Sequence, residues 1–216
     1  IEKKKEELEK IKKFIIKKYS FTFAIGILPP QAVPKIEEEE PIPEAEKNEK
    51  RTHIVVIIPE DQFKNIPKIK KEILEFSKGI KQKLWYHIIT PVDIWNFAMD
   101  SRYDLTGAIG MAFPIYDKGL LGALRVAEVH KSLCLRKFEK YVSSYVIAGS
   151  LVRGTATKTS DVDVFIIIDD TDIKRMPRLE LSEKLRVIIY QYIGEAQAIA
   201  GTKNKLEPQI YLLTDF

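Results

Sequence analysis

The chain has 216 residues, of which 45% are hydrophobic and 10% aromatic, so it can bury a core and is not wholly disordered. Its 35 Lys and Arg against 31 Asp and Glu leave a net charge of +4, which by itself does not indicate a nucleic-acid-binding protein. The single cysteine, Cys134, excludes an internal disulfide. With no apolar run of about 18 residues and no signal peptide expected, the interpretation is a cytoplasmic protein without a membrane span. The charged fraction of 31% is similar to that of heat-adapted proteins.

The first half of the chain predicts alternating helices and strands. A helix is expected over 1–20, where apolar residues at helical spacing lie among eight Lys and four Glu. This basic helix is either a solvated face or an arm that contacts the phosphates of RNA or of a ribonucleoprotein. Prolines and the acidic run 37–40 predict a mobile loop at about 29–50. Apolar patterns predict the other elements: strands at 21–28, 54–58 and 84–90, a helix over 69–80, and irregular structure over 93–122.

The second half predicts the same kinds of elements in the same order. Its pattern indicates a helix over 124–141, strands at 145–148 and 164–168, a helix over 181–192 and a last strand at 210–213.

This repetition indicates a tandem duplication. Each half runs helix, strand, loop, apolar strand, helix, strand, and without gaps 84–93 matches 206–215 while 24–27 matches 147–150. The expected domains are therefore 1–128 and 129–216. Under this duplication the second domain is expected to lack a counterpart of 94–128 and to be cut short at its C-terminus.

The pattern that carries chemistry lies in the second half. Gly149-Ser150 is followed by ten residues and then by Asp161-Val162-Asp163, which opens an apolar strand. Alternate residues of a strand point to the same face, so the two carboxylates are expected side by side, where they repel each other without a cation. Carboxylate oxygens suit Mg²⁺, which also takes up substrate phosphates.

The segment before these aspartates is expected to hold the phosphates. A turn through Gly149 into Ser150 presents backbone N–H groups to an anion, and a helix beginning there would add a favourable partial charge. The alternative interpretation is structural: Ser150 caps a helix and Asp161 closes a turn.

Together with Arg153-Gly154 and Ser160, this pattern resembles the DNA polymerase beta-like nucleotidyltransferase superfamily, above all its minimal members. The resemblance covers about 131–216 directly. It implies an α/β (α+β) fold of small mixed sheets flanked by helices, two Mg²⁺ ions, and transfer of NMP from an NTP to a hydroxyl or phosphate acceptor. It also implies the site residues: Asp161 and Asp163 as metal ligands, and Gly149, Ser150, Arg153 and Ser160 as contacts of the nucleotide phosphates.

Members of this superfamily usually supply a third carboxylate from a neighbouring strand. Near 206–213 the expected position carries Gln209, which cannot accept a proton. Glu207 lies two residues away on the same face and is either the substitute or a surface residue.

The first domain is expected to be a degenerate, non-catalytic copy. In the proposed alignment Arg51 and His53 replace the two aspartates, and Ile27 replaces the serine. No ligand spacing links His53, His87 and His130, so these are expected to be surface or packing residues.

Two functions follow from these observations. The first is a Mg²⁺-dependent nucleotidyltransferase that acts on RNA, protein or a small molecule. The alternative is a non-catalytic protein of the same fold that binds RNA, a ribonucleoprotein or a protein partner.

Overall fold

The computed structural model describes residues 2–39, 51–173 and 176–215. The chain divides into two compact units, Ile1–Leu121 and Gly122–Phe216. This division lies before the expected boundary at 128, and one continuous helix, Leu120–Phe138, contains both positions. Among the described residues, no helix is both long enough and apolar enough to cross a lipid bilayer.

In the first unit, helices and strands alternate along the chain. The helices are α1 (Glu2–Lys18), α2 (Val33–Glu39), α3 (Ile66–Ser77), α4 (Pro91–Met99) and α5 (Tyr103–Gly110), and the strands are β1 (Ala24–Ile27), β2 (Thr52–Ile57), β3 (Leu84–Ile89) and β4 (Phe113–Asp117). Short 3-10 helices span Pro30–Ala32 and Glu60–Asn65.

The sheet of the first unit is mixed, with strand order β3-β2-β1-β4. Strand β2 is parallel to β3, and β1 is antiparallel to both β2 and β4. The buried cluster on one face of this sheet joins residues of α1, α3, β2 and β3: Ile11, Ile15, Ile69, Ile73, Ile54, Val56 and Tyr86. Burial of the apolar side of α1 leaves its lysines at the surface, and the expected contact of this helix with RNA stays a prediction.

The second unit is a smaller sheet with two long helices. Its elements are α6 (Leu120–Phe138), β5 (Val142–Ile147), β6 (Val162–Ile168), α7 (Arg178–Ala200), β7 (Leu206–Leu212) and a 3-10 helix at Leu213–Asp215. The strand order is β5-β6-β7, with β5 antiparallel and β7 parallel to β6. The chain therefore has a mixed α/β architecture with two small mixed sheets, as the sequence predicted.

The two sheets share one pairing pattern. In both, an antiparallel strand pair is followed by a helix and by a parallel third strand. Thr52 pairs with Leu84 as Val162 pairs with Leu206, in agreement with the sequence match of 84–93 to 206–215. The tandem duplication itself stays a prediction.

The expected match of Gly26 to Gly149 is wrong by three residues. The N–H of Leu28 donates to the carbonyl oxygen of His53, just as the N–H of Ala148 donates to that of Asp163. Position 149 is therefore equivalent to Pro29, whereas Gly26 lies inside β1. An added Cβ at Gly26 would come within 2.9 Å of the Cβ of Ala112, so glycine at this position allows β1 to pack closely against the segment that leads into β4.

Two predictions for the first unit are corrected. The loop expected at 29–50 is helical over Pro30–Ala32 and Val33–Glu39, because Ile36 is buried and Arg102 pairs with Glu38 and Glu39; residues 40–50 lie outside the described part.

The irregular structure expected over 93–122 is instead α4, α5, β4 and the start of α6. Helix α4 begins at a capping box, in which the N–H of Thr90 donates to Asp93 at 2.7 Å.

In the second unit, the last strand, β7, begins at Leu206 rather than near 210. It contains Pro208, which is tolerated because β7 is an edge strand of the described sheet.

A buried histidine ties together three elements of the second unit. His130 of α6 is fully buried; its Nε2 lies 3.0 Å from the carbonyl oxygen of Ile189 in α7, and its Nδ1 lies 2.9 Å from the hydroxyl of Tyr145 in β5. Since a carbonyl oxygen only accepts, Nε2 carries the proton and Nδ1 of the neutral ring is an acceptor. The hydroxyl proton of Tyr145 is shared between Nδ1 and the carbonyl oxygen of Ala127, which lies 3.2 Å from that hydroxyl. Burial lowers the pKa of His130 and raises that of the nearby Cys134 to about 12.

This lowered pKa predicts a pH-dependent stability. Folded His130 binds a proton less readily than unfolded His130, whose pKa is near 6.5. The full contribution of neutral His130 to the free energy of unfolding is therefore present above pH 6.5. It falls below that pH by up to about 1.4 kcal/mol per pH unit, until His130 itself protonates. Urea unfolding followed by circular dichroism at pH 7.5 and 5.5 measures the loss. His130→Gln, which keeps a donor for Ile189 and does not titrate, should reduce it; an equal loss in both proteins would contradict this role of His130.

Candidate functional site

The predicted phosphate-binding segment is a compact turn after β5. The N–H groups of Arg153, Gly154 and Thr155 donate to the carbonyl oxygens of Gly149, Leu151 and Ser150, at 3.3, 3.1 and 2.9 Å. No helix begins at Ser150, so the contribution that a helix terminus there would have made is absent, and Ser150 does not cap a helix. The turn is held in place by Leu151, which is fully buried, while Arg153 is exposed.

Gly149 lies directly against the carboxylate of Asp163. Gly149 has a φ of +72°, and a Cβ built on it would lie 1.9 Å from Oδ2 and 3.0 Å from Cγ of Asp163. The backbones are joined as well, since the N–H of Ala148 donates to the carbonyl oxygen of Asp163 at 2.9 Å. Both the backbone conformation and the available space therefore require glycine at position 149. The turn and the second aspartate form one structural unit.

The two aspartates stand where the alternation along β6 places them. Val162, Val164, Ile166 and Ile168 are buried on one face, so the residues between them lie on the other. Asp163 is half-buried there, and Asp161, just before the strand, is exposed. Both side chains belong to the face opposite the apolar core of the second unit.

The position beside Asp163 on β7 is Glu207, not Gln209. In the parallel pairing of β6 with β7, Asp163 is the register partner of Glu207, and Phe165 that of Gln209. Leu206 and Pro208 are buried, so Glu207 lies on the exposed face that also carries Asp163. Neighbouring strands are about 4.8 Å apart, which brings the third carboxylate next to the second. The side chain of Gln209 instead accepts a hydrogen bond from the hydroxyl of Tyr211 at 2.9 Å.

The loop before Asp161 is held by a residue that the sequence analysis missed. The Nδ2 of buried Asn204 donates to the carbonyl oxygens of Thr157 and Ser160 at 2.9 and 2.8 Å. The Oγ of Ser160, a predicted phosphate contact, accepts from the N–H of Thr157 at 2.8 Å. Asn204 thus ties the loop to the entry of β7, but a single Asn within the polar stretch 201–205 carries no sequence signal for this role.

The equivalent positions of the first unit hold different chemistry. His53 stands where Asp163 stands, and its Nδ1 lies 3.0 Å from Nε2 of His87; both rings are buried. These histidines are packing residues of the sheet rather than surface residues. His130 is a packing residue as well.

The donor set at the end of β6 and β7 fits a divalent cation that arrives with a substrate. Over the ranges that the structure describes, no group of three or more His, Cys, Asp and Glu side chains is arranged to hold a metal ion. Mg²⁺ in phosphate-transfer sites is bound through one or two protein carboxylates, and waters and substrate phosphates complete its coordination. Asp161, Asp163 and Glu207 are carboxylates, the chemical type of ligand that such sites use.

The contact between Gly149 and Asp163 predicts a difference among three glycine variants. Gly149→Ala and Gly201→Ala both place alanine at positive φ, which costs about 1–2 kcal/mol of stability, but only at 149 does the new Cβ meet a side chain. Asp163 can relieve that clash by rotating, so Gly149→Ala should also weaken Mg²⁺-dependent nucleotide binding, whereas Gly201→Ala should not.

Gly194→Ala is the matched control, since nothing lies within 4 Å of its added Cβ and alanine favours a helix by about 0.5–1 kcal/mol. Urea unfolding and calorimetric titration measure both quantities. Equal nucleotide affinity in all three variants would show that Gly149 does not position Asp163.

Comparison with known proteins gives a match within the second unit. Residues 129–211 match the family model described as nucleotidyltransferase domain, from within α6 to near the end of β7. No curated protein and no solved structure matches the chain. The match spans the turn after β5, both aspartates and Glu207. The segment 129–211 is thus similar to the nucleotidyltransferase domain family.

Proposed function

We propose that the second unit transfers NMP from an NTP to an acceptor hydroxyl of RNA, protein or a small molecule, with Mg²⁺ as cofactor. The observation that carries this proposal is the pairing of Asp163 with Glu207 directly beneath Gly149. One place thereby combines a glycine turn, two carboxylates of one strand and a third carboxylate of the next.

The residues of the proposed site divide into those that would hold Mg²⁺ and those that would contact the phosphates. Asp161 and Asp163 would hold Mg²⁺, which when bound neutralises phosphate charge and orients the triphosphate for attack. The hydroxyl of Ser150 and the exposed guanidinium of Arg153 lie on the turn next to Asp163 and would contact the phosphates. Because Asn204 fixes the loop that leads into Asp161, it acts as a positioning residue for the first carboxylate.

Glu207 is proposed as the general base. The acceptor oxygen forms a bond to the α-phosphorus while the bond from that phosphorus to the bridging oxygen breaks, and pyrophosphate leaves. The proton of the acceptor hydroxyl passes to the carboxylate of Glu207, whose side chain is exposed at the start of β7. Gln209, which has no basic oxygen of this kind, is not needed for this role.

Binding of an NTP measured by calorimetry with and without Mg²⁺ tests the metal ligands. Asp161→Asn and Asp163→Asn should each weaken the Mg²⁺-dependent affinity by at least about tenfold, since each removes an anionic oxygen ligand. Asp172→Asn, at an exposed position beyond the other end of β6, removes the same charge and should change nothing. Unchanged affinity in Asp163→Asn would remove the basis of the proposal.

Glu207→Gln separates catalysis from binding. Release of pyrophosphate from each NTP, with total RNA offered as acceptor, should fall by about 100-fold or more, while NTP affinity stays within about threefold. Gln209→Ala is the control and should keep the rate. If the unaltered protein bound no NTP but bound RNA with a salt-dependent affinity, the non-catalytic alternative would replace this proposal.

A further inference from the structure

The first unit contains a cavity of about 380 Å³ on the face of its sheet that is turned away from the cluster of α1 and α3. Val55, His87 and Ile89 form its floor, and helices α2, α4 and α5 contribute its walls, among them Phe97 and Leu105. Phe63 stands at the edge and is 53% exposed. The lining is mainly aliphatic and aromatic. The volume lies within the range of about 300–1,000 Å³ that is usual for small-molecule sites.

Within the first unit, this cavity lies beside the positions that are equivalent to the proposed transferase site of the second unit. Leu28, which is equivalent to Ala148, lines it, and His53, which is equivalent to Asp163, stands behind His87 at 3.0 Å. Where the second unit has exposed carboxylates, the first therefore has a buried histidine pair and apolar walls. Buried imidazoles and aliphatic side chains do not suit a polyphosphate carried by Mg²⁺, which prefers carboxylate and water oxygens.

The charged groups around the cavity disfavour anions. Among its described lining residues, Glu39 and Asp93 are acidic and none is Lys or Arg. The carboxylate of Asp93 accepts hydrogen bonds from the N–H and the hydroxyl of Thr90, and a carboxylate oxygen of Glu37 lies 3.6 Å from Nε2 of His53. Arg102 approaches from outside and is shared among Glu38, Glu39 and Asp104. A bound anion would face more carboxylates than cations.

Water alone is a poor occupant of this space. The cavity has room for about a dozen water molecules at roughly 30 Å³ each, and most of them would face side chains that offer no hydrogen bonds. We propose that the first unit binds a small aromatic molecule that is uncharged or singly cationic. Its apolar body would pack on Val55, Phe97 and Leu105, and a polar atom would face the imidazole of His87. This site is separate from the proposed transferase site and does not depend on it.

Two fluorescent probes of the same aromatic core test both the site and its charge preference. N-phenyl-1-naphthylamine is neutral, whereas 1-anilinonaphthalene-8-sulfonate carries one negative charge. The neutral probe should bind with one-to-one stoichiometry, and the sulfonate at least about tenfold more weakly at low salt. Equal affinities would overturn the charge preference, and no saturable binding of the neutral probe would overturn the site.

Variants at the cavity show where the probe binds. Phe63→Ala should weaken the binding of the neutral probe by about fivefold, because about half of an aromatic contact with the probe is lost. Phe76→Ala is the matched control: Phe76 is also a partly exposed phenylalanine of this unit, but it stacks on Phe14 on the other face of the sheet. Ile36→Trp, which adds volume at the wall formed by α2, should abolish binding while the circular dichroism spectrum is kept. Wild-type affinity in both Phe63→Ala and Ile36→Trp, or an equal loss in Phe76→Ala, would overturn the assignment.

Discussion

The candidate site depends on a glycine, Gly149, whose lack of a side chain allows a close approach between two segments. At Gly149 the chain leaves β5 with a positive φ and passes so close to Asp163 that a Cβ would occupy the position of its carboxylate oxygen. Two residues that are fourteen positions apart in sequence are thereby brought into contact, and the turn that follows lies beside the carboxylate. The same contact places the carboxylate of Asp163 against the backbone of the turn. Preorganisation of a metal ligand by a glycine is the physical basis of the proposed activity.

Strand pairing supplies the rest of the geometry. The parallel register of β6 and β7 sets Glu207 beside Asp163, and Asn204, just before β7, anchors the loop that leads into Asp161. The first unit has the same antiparallel and parallel pairs but a histidine at the position of Asp163. The same strand pairing therefore carries carboxylates on a polar face in the second unit and a buried histidine pair beside an apolar cavity in the first. The chemistry of each unit depends on a few side chains at the ends of its strands.

The parts of the fold that follow from local patterns were predictable, and those that need pairing were not. The alternation from Val162 onward predicted β6 and the common face of Asp161 and Asp163. The choice between Glu207 and Gln209 depends on the register between two strands, which a single sequence does not contain. Helix α4 was not predicted although Thr90, Pro91 and Asp93 carry a recognisable start signal, because the scattered Gly, Pro and aromatic residues over 93–122 obscure the helical period. Asn204 left no pattern at all, since its role arises only from tertiary contacts.

The most direct test of the central claim is line broadening by Mn²⁺ in the amide NMR spectrum of the whole chain, recorded with a non-hydrolysable NTP analogue. If the turn and the three carboxylates form one site, the amide signals of Gly149, Ser150, Asp163 and Glu207 should broaden together, at substoichiometric Mn²⁺, and only when the analogue is present. Broadening confined to another acidic segment, such as that around Asp169 and Asp172, with these four signals unaffected, would contradict the account.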